Sequence, residues 1–301
     1  MAIGAPGNDG NGNDAGRVRV FDWDGASWVQ VGSDIDGEAA GDRSGSDVSL
    51  SADGTRVAIG APGNDGLGPD GWGSGHVRVF GWDGGAWVQV GADFDGEVGG
   101  TGPQKVYAPA LSANGSRVAI GYDRGVRVHD WDGASWIQIG AEFGEVGPGS
   151  VEPESLSADG TRVAIGEPWT QGNSGRVRVF DWDGGAWAQV GDHVDGDAAG
   201  DRFGWHISLS RDGNRVAASA TGGDENGGTS GYVRIYALVS ADSNLGGSPV
   251  TTTVSSTIAP APDGALPATG ATPAAGLIGV ALLATGLALA TTARRRPADS
   301  V

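Results

Sequence analysis

The segment Ala2-Ile3-Gly4-Ala5-Pro6-Gly7-Asn8-Asp9-Gly10 returns unchanged as residues 58–66, and looser copies start at Ala119, Ala164 and Ala217. A second landmark, Trp-Asp-Gly-x-x-Trp, follows each of the first four copies, at 23–28, 82–87, 131–136 and 182–187. A chain that repeats itself at this spacing builds one supersecondary unit several times and stacks the copies, because one copy cannot bury its apolar face alone. Internal repetition over residues 1–238 therefore constrains the fold more than any other feature.

The unit is clearest from Ser46 to Asp95. Asp47 to Ser51 reads as a short strand, Ala52-Asp53-Gly54-Thr55 as a hairpin turn, and Arg56 to Gly60 as the returning strand. Asp-Gly supplies the left-handed conformations that tight hairpins demand. After a glycine-rich loop, His76-Val77-Arg78-Val79-Phe80 alternates as a half-buried strand does. Asp83-Gly84 turns the chain, and Trp87 to Val90 forms a fourth strand. Four antiparallel strands per unit predict an all-β protein, a β-propeller of four-stranded blades with about five repeats, the first and last incomplete. Glycine (57 residues) and tryptophan (11) suit short strands, tight turns and large flat packing groups. Before residue 270 no helical apolar periodicity is sustained.

The unit resembles the FG-GAP repeat of integrin α-type propellers and of many bacterial surface proteins. The Gly-Ala-Pro element stands at Gly4-Ala5-Pro6 and Gly60-Ala61-Pro62, becomes Gly166-Glu167-Pro168 in the fourth copy, and the Phe-Gly element is kept at Phe203-Gly204. The resemblance implies a propeller and, in that family, calcium held by closely spaced aspartates.

Residues 239–265 are rich in Ser, Thr, Pro and Ala, a composition that buries no core and predicts a disordered linker. Residues 266–301 combine Leu266-Pro267-Ala268-Thr269-Gly270, an apolar run over about 274–293, and Arg294-Arg295-Arg296. A run of about 20 apolar residues is long enough to span a bilayer as a helix, and the arginines hold its end in the cytoplasm. The three parts in this order resemble the LPXTG sorting signal of Gram-positive surface proteins. That resemblance implies sortase cleavage between Thr269 and Gly270, covalent attachment of Thr269 to cell-wall peptidoglycan, and a membrane insertion that lasts only until cleavage. The expected address is extracellular and wall-anchored. Met1 stands where the second copy has Val57, on the second strand of a blade and without a leader. For an exported product this predicts a propeller truncated at its N-terminus, with the true start and a signal peptide upstream.

The net charge of −18 repels nucleic acid, and the absence of cysteine removes disulfide and thiolate chemistry. The four histidines, His76, His129, His193 and His206, form no short-range ligand pair. Asp34, Asp36, Glu38 and Asp42 space carboxylates along the loop that joins one blade to the next, and Asp93, Asp95 and Glu97 repeat the pattern. Calcium takes several oxygen ligands from one flexible loop, which makes both segments candidate calcium loops beside the alternative of solvated turns. Trp72, Trp169 and Trp205 have no counterpart in the other copies and are candidate stacking platforms for a sugar or peptide.

No catalytic constellation appears. The expected function is therefore non-enzymatic: a sortase-anchored display protein whose propeller loops bind a glycan or protein ligand. The alternatives are an extracellular propeller enzyme, hydrolase or lyase, and a passive surface coat.

Overall fold

A Val-Arg-Val core recurs in the corresponding strand of the first four units. In the first unit, Arg17–Trp23 (β2) buries Val18 and Val20 and leaves Arg19 in solvent, the period-2 signature of a sheet with one covered face. The structure, a computed structural model, describes residues 1–64, 74–99, 102–104, 106–123, 125–144, 152–223, 231–238 and 252–254. All of these fall in the compact unit Met1–Ala259.

The chain forms an all-β protein of successive antiparallel sheets. The first sheet contains Ala2–Ala5 (β1), β2, Trp28–Gln30 (β3) and Ile35–Asp36 (β4), in the order β1-β2-β3 with β4 paired to the start of β2. The second contains Asp47–Leu50 (β5), Arg56–Ala61 (β6), His76–Trp82 (β7), Trp87–Gln89 (β8) and Phe94–Asp95 (β9), with β9 paired to the start of β7. A small hairpin, Glu97–Gly99 (β10) and Gly102–Gln104 (β11), leads to the third sheet. That sheet runs Val106–Leu111 (β12), Arg117–Tyr122 (β13), Gly125–Trp131 (β14) and Trp136–Gln138 (β15). The fourth contains Glu152–Leu156 (β16), Arg162–Gly166 (β17), Arg176–Trp182 (β18), Trp187–Gln189 (β19) and Val194–Asp195 (β20). The fifth contains Phe203–Leu209 (β21), Arg215–Ala220 (β22), Tyr232–Ala237 (β23) and Thr252–Val254 (β24). Among the described residues the one helical segment is a short 3₁₀ turn at Gln171–Asn173.

Two features go beyond the four strands expected per unit. Short fifth strands (β4, β9, β20) form where the connecting loop folds back on the third strand, so that the loop carboxylates lie beside the strand's first residue. Part of the segment expected to be linker, Thr252–Val254, instead pairs with β23, as its β-branched Thr-Thr-Val sequence permits. The Asp-Gly turns form where expected, though with the glycine alone left-handed rather than both residues. At Asp83-Gly84 the Asp83 carboxylate accepts from the Gly85 and Ala86 amides at 2.8 Å each, while Gly84 takes φ +99°, open to glycine.

The core lies in the seams between successive sheets. Val18, Ile35, Val57, Ile59 and Phe80 fill the first seam. Phe94, Val118, Ile120 and Tyr122 belong to the second, and Phe143, Phe180 and Trp187 to the third. Each seam is also latched. Trp87 Nε1 donates to the Val31 carbonyl at 2.9 Å, Trp136 Nε1 to Val90 at 2.8 Å and Trp187 Nε1 to Ile139 at 3.3 Å. In the opposite sense, Arg56, Arg117 and Arg162 donate to the carbonyls of Gly115, Gly160 and Gly213 in the following unit. The repeated tryptophans thus pack units together, which places the loops at fixed positions. Trp23 and Trp28 of the first unit are half exposed, at 50% and 52%. Among the described residues no helix is long and apolar enough to cross a membrane.

Candidate functional site

The fifth strands expose an irregularity in the repeat. In the first unit Arg17 opens β2 opposite Asp36 on β4, with Nε 2.7 Å from Asp36 and Nη1 2.6 Å from Asp34. In the fourth unit Arg176 opens β18 opposite Asp195, with Nε at 2.9 Å. The second unit keeps the carboxylates, Asp93 and Asp95, but opens β7 with His76 opposite Asp95. Imidazole is shorter than an arginine side chain, and the loop acids do not close onto it. His76 Nδ1 lies 3.7 Å from Asp93 Oδ2 and 3.8 Å from Glu38 Oε2, beyond hydrogen-bond range. His76 is only 2% exposed, and its Nε2 has no hydrogen-bond partner among the described residues.

Glu38 reaches this place from the loop between the first and second sheets. Gly37 precedes it because a Cβ there would meet the Ala15 carbonyl oxygen at 1.9 Å. Asp42 then fixes the turn, accepting from the Glu38 amide at 3.0 Å and the Ala39 amide at 2.8 Å. The buried Arg78 guanidinium holds Glu38 Oε1 at 3.2 Å and donates to the Asp36 carbonyl at 3.0 Å. Asp93 is oriented by the Gln89 side-chain amide, as Asp34 is by Gln30 in the first unit. The result is an open cavity of about 500 Å³ lined by Glu38, Asp42, Asn64, His76, Asp93 and Asp95.

Burial lowers the His76 pKa below the ordinary histidine value, and the nearby Arg78 charge adds to the effect. Its imidazole is therefore neutral near pH 7. Asp95 is shifted the other way, upward, by burial and then by the neighbouring Asp93 charge. A neutral imidazole facing carboxylates in a cavity can accept a proton or donate a lone pair to a cation. Among the described residues, Glu38, His76 and Asp93 form the one group of acids and histidine whose ligand atoms all lie within 4.8 Å of one another.

The two expected calcium loops are distributed differently from their sequence spacing. Asp34 is bound by Arg17 and Arg19, Asp36 by Arg17, and Asp42 by backbone amides, so Asp34, Asp36, Glu38 and Asp42 do not converge on one point. Glu38 from one loop and Asp93 from the next do converge, with Asp95 in the same cavity. Glu97 begins β10. His76 was missed in the sequence because no ligand partner lies near it in the chain; its signal was histidine at a register position that holds arginine in two other repeats. Trp169 packs edge-on against Trp205 of β21 at 5.3 Å, and the Arg202 guanidinium lies 4.8 Å from the Trp169 ring centroid. Trp72, the Leu266–Gly270 motif, the apolar run 274–293 and Arg294 to Arg296 lie outside the described residues.

No protein-family model and no curated protein matches the sequence. Solved structures do resemble the fold. The periplasmic gluconolactonase PpgL of Pseudomonas aeruginosa superposes with a TM-score of 0.53 at 20% identity, over 79% of this chain and 65% of that one. A protein from Lactobacillus plantarum gives a TM-score of 0.51 at 14% identity, over 80% of this chain and 64% of that one. The chain thus spans just under two thirds of the length of each. These similarities are of fold, and they support a propeller-like arrangement of the sheets. They also correct the expectation of a non-enzymatic display protein whose loops bind a glycan or protein ligand, because the fold's solved neighbours include an enzyme. The sequence did not show the polar cavity because Glu38, His76 and Asp93 are too far apart in the chain to form a short motif.

Proposed function

We propose that the protein is a β-propeller hydrolase of the lactonase type, in which each sheet is a blade and the cavity around His76 is the reaction centre. One observation carries this reading: a buried imidazole turns Nδ1 toward two carboxylates, outside hydrogen-bond range of both, in a cavity large enough for a small cyclic ester. The fold similarity to a gluconolactonase supports the substrate class. Water attacks the lactone carbonyl carbon while the imidazole–carboxylate group takes its proton. The ring C–O bond then breaks, and the alkoxide leaving group recovers that proton to give an open-chain hydroxy acid. The test is base uptake at constant pH by the purified protein with a panel of γ- and δ-lactones. Turnover above the spontaneous rate, lost in His76→Gln, is the expected outcome; rates equal to buffer alone across the panel would retire the proposal.

We also propose that the enzyme works outside the cell, joined to peptidoglycan through Thr269 by a sortase, with transient membrane insertion before cleavage. The order of the Leu266–Gly270 motif, the apolar run and the Arg294 to Arg296 stop supports this address. Thr269→Ala should move the protein from the covalently linked wall fraction to membrane or medium. An unchanged wall fraction would remove the anchoring proposal and leave the lactonase proposal standing.

A further inference from the structure

We infer that Glu38, His76 and Asp93 form a binding site for a first-row divalent cation of the zinc or manganese class, which occupies the place that an arginine side chain fills in the first and fourth units. The inference deepens the lactonase reading and rests on it for its catalytic consequence, while cation binding itself stands or falls separately.

Charge is the first ground. The first and fourth units set a guanidinium against their loop carboxylates, with Arg17 on Asp34 and Asp36, and Arg176 on Asp195. The second unit keeps the acids at the same register and sets an imidazole where the other two set a guanidinium. Arg78 engages one oxygen of Glu38 only, leaving Oε2 turned toward His76. The second ground is the buried imidazole. His76 is 98% withdrawn from solvent, and its Nδ1 points at two carboxylate oxygens that both lie beyond hydrogen-bond range, while Nε2 on the far side of the ring is the buried atom without a partner among the described residues. A side chain so buried normally aims its polar atoms at a partner, and Nδ1 aims at two carboxylates across gaps too long for a hydrogen bond and short enough for a shared ligand.

The two separations from His76 fit an ion, and the Glu38 and Asp93 oxygens lie within 4.8 Å of each other. Two ligand atoms each about 2.1 Å from a metal are at most about 4.2 Å apart. The His76 separations of 3.7 Å and 3.8 Å fall inside that limit and outside hydrogen-bond range. A nitrogen donor beside carboxylates favours zinc or manganese over calcium, which takes six or more oxygens. A cation there would engage the imidazole lone pair and replace its role as proton acceptor by lowering the pKa of a coordinated water, which serves ester hydrolysis directly.

The test is calorimetric titration of the purified full chain, freed of metal by chelation, with zinc, manganese and calcium salts, together with its His76→Arg and Glu38→Gln variants. His76→Arg restores the arrangement of the first and fourth units, so its folding is checked by its melting curve. One equivalent of zinc or manganese binding at least tenfold more tightly than calcium, and weakened at least tenfold in both variants, is the expected result. No saturable binding in the wild type, or equal binding in folded His76→Arg, would overturn it. The two readings separate cleanly: cation binding without lactone turnover retires the lactonase and keeps the site, whereas turnover unchanged after exhaustive chelation keeps the lactonase and retires the cation.

Discussion

His76 on β7 stands opposite Asp95 on β9 in the register that elsewhere sets Arg17 against Asp36 and Arg176 against Asp195. The same backbone position therefore carries a structural ion pair in two units and a cavity in a third. His76→Arg should convert the cavity back to an ion pair. Its melting temperature is expected to equal or exceed the wild-type value, while lactone turnover falls by about 100-fold or more, the scale of losing a group that moves a proton or activates water. Parallel melting curves and initial rates check this. A stable variant with full activity would place the chemistry elsewhere.

The seams make a second, quantitative claim. Trp136 donates to the Val90 carbonyl across a seam and packs on Phe94 with ring centroids 5.9 Å apart. Trp28 holds the same repeat position but is 52% exposed. Trp136→Phe should cost about 1–3 kcal/mol, mainly through the carbonyl left without its donor, whereas Trp28→Phe should stay within about 0.5 kcal/mol. Chemical denaturation of both variants distinguishes them; equal losses would show that the seams are not where the repeat is held.

Much of the scaffold was legible because it is periodic. The Val-Arg-Val strands, the Asp-Gly turns and the repeated Trp pairs each follow from local pattern, and each forms where its sequence places it. The short fifth strands were not legible, since two-residue pairings such as Phe94–Asp95 with β7 depend on where the loop is led by its neighbours. The site was less legible still. Glu38 and Asp93 were singled out for their spacing within loops, yet what joins them is the contact between one unit's loop and the next unit's strand. His76 was discounted for lack of a neighbour in the chain, although alignment of the repeats against Arg17 and Arg176 sets it apart.

The arginine latches yield a third prediction. Arg117 holds Asp130 through Nε at 2.5 Å and Nη2 at 2.7 Å and donates from Nη1 to the Gly160 carbonyl of the next unit at 2.8 Å. Arg117→Met keeps most of the apolar stem and removes all three bonds. A loss of about 2 kcal/mol is expected, the scale of hydrogen bonds to a charged group. Double mutation with Asp130→Ala should cost less than the sum of the single changes, because the two side chains share one network. Strict additivity in denaturation free energies would show that the pair is not coupled.

His129 supports a prediction about pH. It occupies the β14 position that holds Phe80 in β7 and Phe180 in β18, lies 9% exposed, and packs on the Phe94 ring at 4.8 Å with Nδ1 unpartnered among the described residues. Burial, reinforced by the Arg127 charge and opposed by Asp130, lowers its pKa to about 4. The unfolded chain binds that proton near the ordinary value of about 6.5. The folded state thus holds fewer protons in the window between, and stability falls as the pH drops. The contribution is complete above about pH 6.5, is lost progressively down to about pH 4, and amounts to about 2–3 kcal/mol over that range. His129→Phe restores the residue of the neighbouring repeats and removes both the titration and the unpartnered nitrogen. Its stability should exceed the wild type at every pH, with a gap that is smallest above pH 7 and widens by about 2–3 kcal/mol toward pH 4. Denaturation midpoints measured for both proteins across that interval give the gap directly; a constant difference would mean that His129 protonates as readily in the folded chain as in the unfolded one.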